Sequence, residues 1–238
     1  MVTQIQLGDI TVDVTRKNIK NIHLSVYPPT GAVRVAAPSR MGLPVIRVFV
    51  LSKLGWIRKQ QQKLQAQDRE PPREYLDRES HYVWGKRYLL KVIETDRIPS
   101  VSLEHNQMTL SVRPGSTIQK RHEVVEEWHR DLIREALPEL IAKWERILGV
   151  KVKGCTVRKM KTRWGSCTPR TGRIRINTDL AKKPSECLEY IVIHEMAHLL
   201  EPTHNKRFVA LMDQFVPKWK LYKAELNRLP VRHEDWVY

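Results

Sequence analysis

The chain has 238 residues, of which 41% are hydrophobic, and its 42 Lys and Arg against 26 Asp and Glu give a formal net charge of +16. That content supports a proper core, so the expectation is a soluble globular protein of one large or two small domains, and the charge points to a polyanionic substrate or partner. The opening MVTQIQLGDI shows no basic region followed by a long apolar run and no stretch approaches a membrane span, so a cytoplasmic location without membrane contact is expected.

In chain order, Leu7-Gly8-Asp9-Ile10 reads as a tight hairpin. Ile10, Val12 and Val14 alternate after it, and Ile22, Leu24 and Val26 beyond, which predicts a small antiparallel sheet. Pro28-Pro29-Thr30-Gly31 makes a turn before Val33 and Val35. The period then changes: Ile46, Phe49, Val50, Leu54, Ile57 and Leu64 predict one amphipathic helix from Leu43 to about Gln67. Residues 68–79 are polar and proline-containing and read as a connection. Two hairpins follow, one turning at Gly85-Lys86 and one at His105-Asn106-Gln107, with His81 and His105 read as surface residues. From Thr117, a plausible cap, a long helix runs to Gly149 with a kink or break at Pro138. His122 and His129 on it have no third ligand placed with them. Short strands are expected at Thr156–Met160 and Arg173–Asn177, flanking a loop at 162–168, and helices at Phe208–Phe215 and Trp219–Leu229. The fold class is α+β: a strand-rich N-terminal region with one long helix, 1–115, then a helical domain with a short β-sheet, 116–238.

The chemistry concentrates in SECLEYIVIHEMAHLLEPTH, residues 185–204. His194 and His198 are four apart, hence neighbours on one helix face, with Glu195 beside the first. A shuffled chain of this composition contains HExxH only about 0.02 times. Ser185 reads as the helix N-cap, Glu186 and Glu189 suit its first turn, and Pro202 ends the helix by about Leu200. Nearly every other side chain from Tyr190 to Leu200 is apolar, the pattern of a helix buried on all sides. A catalytic zinc takes three protein ligands and keeps a place for water. His204 is the favoured third ligand, with Asp213 and Glu225 as rivals. Glu195 is placed to take a proton from the metal-bound water as general base. Zinc is the first choice of metal, with Ni2+, Co2+ or Mn2+ as alternatives that nitrogen ligands also accept. Cys155, Cys167 and Cys187 are odd in number and lack CxxC spacing, which argues against disulfides and a cysteine-rich zinc site. From Lys151 to Arg175 nine basic residues and no acidic one precede the metal helix.

The stretches Arg163-Trp164-Gly165-Ser166-Cys167, Tyr190 to Leu200 around HEMAH, and His204-Asn205 with Phe208 resemble the YgjP-like metallopeptidase family of metal-dependent hydrolases, relatives of the SprT-like zinc proteases. The resemblance implies that His194, His198 and His204 bind metal, that Glu195 is the catalytic base, and that Arg163 and Ser166 lie near the active site; Lys161, in the same basic stretch, is a further substrate-binding candidate, and the order helix, strand pair, metal helix makes 116–238 a zincin-like metallohydrolase domain. It implies peptide hydrolysis, or alternatively pyrophosphate release from nucleoside triphosphates such as UTP. The acid-free stretch 151–175 favours an anionic substrate, or contact with nucleic acid as for an SprT-like protease.

Overall fold

The computed structural model describes residues 2–27, 30–65, 73–160 and 163–228. At 43% helix and 30% strand it is a mixed α+β fold with a strand-rich first half. The chain forms two compact units, one within Met1–Pro72 and one comprising Arg73–Asn227. This division differs from a boundary after residue 115, because the second four-stranded sheet shares its core with the long helix that follows.

In the first unit, strands β1 (Val2–Leu7), β2 (Ile10–Lys17), β3 (His23–Tyr27) and β4 (Ala32–Pro38) lie in the order β1-β2-β4-β3. The hairpin stands as read, with Leu7 opposite Ile10 and Gly8 at φ +62. The sheet, however, is mixed rather than antiparallel, because β4 runs parallel to β2. Burial explains the choice: Val12 pairs with Val33 and Val14 with Val35, all almost fully buried, whereas β3 is at most half-buried and takes the edge. The predicted single helix is two, α1 (Leu43–Ser52) and α2 (Leu54–Gln65). They part at Lys53, two residues before Gly55, the weakest interior helix former of the stretch. Ile46, Val50 and Ile57 cover the sheet.

The second unit opens with β5 (Ser80–Val83), β6 (Lys86–Glu94), β7 (Ser100–Glu104) and β8 (Gln107–Val112), ordered β5-β6-β8-β7 with β6 and β8 parallel. This is the topology of the first sheet again. Its first turn is Trp84-Gly85, with φ of +49 and +77 as a type I′ hairpin requires. His81, expected on the surface, is buried: it shares the inward face of β5 with Val83 and lies 2.9 Å from Glu79. His105 is exposed as expected.

Helix α3 (Ile118–Leu148) is bounded as the sequence predicts: Thr117 accepts from Lys120 N at 3.3 Å, and Gly149 is left-handed at φ +67. It runs unbroken past Pro138, which sits on the exposed side where water can take the carbonyl that the ring leaves unpaired. His129 is buried in its core face. A three-stranded sheet follows, β9 (Gly154–Arg158), β10 (Gly165–Thr168) and β11 (Arg173–Asn177), ordered β10-β11-β9. The stretch read as a loop is thus largely strand, turned back by Pro169–Thr171 and a left-handed Gly172. A 310 turn, Thr178–Lys182, leads to α4 (Ser185–Ala197), α5 (Lys206–Phe215) and α6 (Trp219–Arg228). The main core joins α3, β11 and α4 through Ile133, Ile174, Ile176, Leu188, Ile193 and Met196, each worth about 1.5–3 kcal/mol of burial. Among the described residues no helix is long and apolar enough to cross a membrane.

Candidate metal centre

Helix α4 positions the site because it cannot turn. Leu188, Ile191, Val192, Ile193, Met196 and Ala197 are all buried, so rotation about the helix axis would expose apolar surface whichever way it went. Its start differs from expectation. Pro184 is the residue before the helix, and Ser185, already helical, donates to Glu186 Oε2 at 3.3 Å instead of capping. At the other end the helix closes at Ala197, and the turn is tied by Leu200 and Glu201 N–H groups on the Ala197 carbonyl, at 3.0 and 2.9 Å. Pro202 follows, and the chain brings His204 back to the helix.

The result is a cluster in which His194, His198 and His204 each offer a ring nitrogen within 4.8 Å of the other two. His194 Nε2 and His204 Nε2 are 3.0 Å apart. His198 Nδ1 lies 3.1 Å from the Glu201 carbonyl; donating there, it leaves Nε2 as the free lone pair and fixes the ring's orientation. Phe208 supports all three imidazoles from below, its ring centre 5.0, 4.7 and 4.8 Å from those of His194, His198 and His204. Asn205 accepts from Phe208 N at 3.1 Å and so caps α5 at the point where Phe208 enters. Burial, helped by the positive charge of its neighbours, pushes the His194 imidazolium down to about 3, and burial also lowers His204. Both rings are therefore neutral at pH 7, as metal ligands must be. Two nitrogens bound to one tetrahedral zinc at about 2.0–2.1 Å would sit roughly 3.3 Å apart, close to the His194–His204 spacing. The donor set fits a divalent metal. Among the described residues the rivals Asp213 and Glu225 are not part of the cluster, and Asp213 instead accepts from Trp219 Nε1 at 2.7 Å.

Glu195 is 5% exposed, and burial raises its carboxyl to about 7, against the opposing charge of Arg163. Its seat is Gly165. A Cβ built there would meet Glu195 Oε1 at 2.6 Å and Cγ at 2.7 Å, so the carboxylate lies directly against bare backbone. Both groups line a cleft of about 550 Å3 with Arg163, Ser166, Cys167, the three histidines and Lys223. Arg163 and Ser166 thus reach the place the sequence suggested, while Lys161 lies outside the described residues. Sequence reasoning missed Gly165 as the seat of Glu195, Tyr190 edge-on to His194 at 5.9 Å, and Lys223. Lys223 belongs to a helix with no motif, so nothing in its spacing could have flagged it. Cys167, read as a small buried residue, is half-buried in the cleft wall, and burial with the Glu195 charge pushes its thiol up to about 11.

Three converging imidazoles beside a buried carboxylate belong to the class of metal-dependent hydrolases. The chain is a member of the YgjP-like family: the family's metallopeptidase-domain model matches residues 20–229. Membership makes the protein a metal-dependent hydrolase and implies a divalent metal. No curated protein matches the chain. Two solved structures are similar to parts of it. The jannalysin metallopeptidase zymogen of Methanocaldococcus jannaschii shares 17% identity over 37% of this chain and 90% of its own, with a TM-score of 0.34. The abylysin zymogen of Pyrococcus abyssi shares 24% over 39% of this chain and 97% of its own, at 0.35.

Proposed function

We propose that the protein hydrolyses peptide bonds, with His194, His198 and His204 holding one divalent cation, zinc first, and Glu195 moving the proton. The observation that carries this reading is the meeting of the three imidazoles with a buried carboxylate in one cleft. When bound, such a cation lowers the pKa of a coordinated water towards 7 and polarises the substrate carbonyl. Glu195, held near neutrality by burial, is poised both to accept the proton of the attacking water and to release it to the leaving amine. Gly165 keeps it aimed. Among the described residues strand β10 has a paired neighbour on one side only, and Gly165, Ser166 and Cys167 line the cleft, so an extended peptide has a strand edge to lie along. Arg163 and Ser166 are the residues we assign to substrate binding.

One observation favours the second reading, release of pyrophosphate from a nucleoside triphosphate such as UTP. Among the described residues the exposed cations Arg163 and Lys223 line the cleft with a single carboxylate, Glu195. Guanidinium and ammonium groups suit phosphate oxygens. Purified protein with added zinc, cobalt, nickel or manganese should cleave casein-derived peptides, and Glu195→Gln should lower the rate by a factor of about 10²–10⁴. Turnover of UTP in place of peptide, lost in the same variant, would shift the assignment to the nucleotide.

A further inference from the structure

A second cavity of the Arg73–Asn227 unit, about 770 Å3, lies at the N-terminal end of α4, roughly 14 Å along the helix from His194 at about 1.5 Å per residue. Its floor is apolar, formed by Trp84, Leu132, Leu140 and Leu188. Its rim is acidic: Glu135 and Glu139 project from α3 and Glu186 from α4, all exposed. None of these three carboxylates has a cation partner among the described residues, and Glu186 has only the Ser185 hydroxyl. Of the two lysines in the lining, Lys143 is committed to Glu189 at 2.7 Å, leaving Lys86. Glu135 and Glu139 are four apart on one helix face, where like charges weaken a helix unless something cationic sits over them.

The floor of the groove is built rather than incidental. Trp84 holds φ +49, a costly conformation for a bulky residue, and is kept there by its N–H on the Ala181 carbonyl at 2.8 Å. The next residue, Gly85, packs so closely on Pro184 that a Cβ would meet it at 3.0 Å. The turn is thereby seated on the start of α4, with Trp84 lining the groove. On a chain of net charge +16 this concentration of unpaired carboxylates runs against the general field. A partner drawn to it must be cationic, and the floor requires that it also carry apolar surface.

We infer that this groove docks a basic peptide segment with an apolar anchor: a Leu-type side chain on the floor, Lys or Arg on Glu135, Glu139 and Glu186. The test is fluorescence anisotropy on the full chain at low salt with a labelled Lys/Arg/Leu peptide, and with counterparts in which Leu becomes Ser or the basic residues become Glu. The Lys/Arg/Leu peptide should bind, and both counterparts should bind more weakly. Glu135→Gln with Glu139→Gln keeps good helix formers at exposed positions and should weaken binding by about tenfold, as loss of two charge contacts implies. The single Glu139→Lys should weaken it too, and Glu195→Gln should leave it unchanged, which separates the groove from the catalytic cleft. Wild-type affinity in the double variant, equal binding of the acidic peptide, or no binding of the basic one would overturn the proposal.

Discussion

Glu195 owes its position to a residue without a side chain. Gly165 lets the carboxylate rest against the backbone of β10, and the atoms an added methyl would strike belong to the flexible Glu195 side chain, which can swing aside. Gly165→Ala should therefore cost activity rather than folding. The expected result is a fall in kcat of about tenfold or more, since a displacement of about 1 Å can cost as much as 10²-fold, with circular dichroism and metal content unchanged. Unchanged kcat would show that Glu195 does not need that seat. This partnership could not be read from the chain, because it joins positions thirty apart through a strand that looked like a loop. The histidines could be read: their spacing is local, set by helix periodicity and one proline, and His204 needed only a turn of known direction. His81 went the other way, since the alternation that buries it with Val83 is too short to outweigh its polarity.

At the scale of elements, the site is the joint between α4 and α5. A helix buried on all faces delivers two imidazoles, a turn tied to the Ala197 carbonyl brings the third, and α5 supplies Phe208 beneath them. Asn205 secures the last of these steps. Asn205→Ala removes a side-chain cap worth about 1 kcal/mol and should lower Tm by about 2–4 °C. Because His204 is the adjacent residue, metal affinity should fall as well, measurable by titration with a competing chelator. A loss of stability with no loss of affinity would detach α5 from the site. Ends of elements were well marked where local chemistry sets them, as Thr117 and Gly149 are for α3. Pairing was not: that β2 takes β4 as a parallel partner follows from which strands of that sheet are most buried, a property of the assembled sheet, and the parallel pairing of β6 with β8 leaves no mark in the local pattern either.

The whole molecule carries two compact units whose four-stranded sheets share one strand order. Buried titratable groups couple the second unit to pH. Burial, chiefly, lowers His129 to about 3, so between about 6.5 and 3 the unfolded chain binds a proton that the folded chain refuses. Glu79 acts in the same sense: burial would raise it, but the hydrogen bond from His81 and the charges of His81 and Arg73 outweigh that and hold it at about 2. Its contribution is present above about 4.5 and lost as the pH falls towards 2. Thermal stability should thus drop steadily from pH 6.5 to 4, and His129→Gln should flatten that slope. An identical slope in the variant would remove His129 from the account. The central claim concerns one ion and one carboxylate, and metal analysis coupled to turnover addresses it most directly. Wild type and Glu195→Gln should each bind one divalent ion per chain while the variant loses hydrolysis, and His204→Ala should lose the ion. Wild-type protein that binds no ion under metal-replete conditions, or a Glu195→Gln protein that still hydrolyses substrate at the wild-type rate, would contradict it.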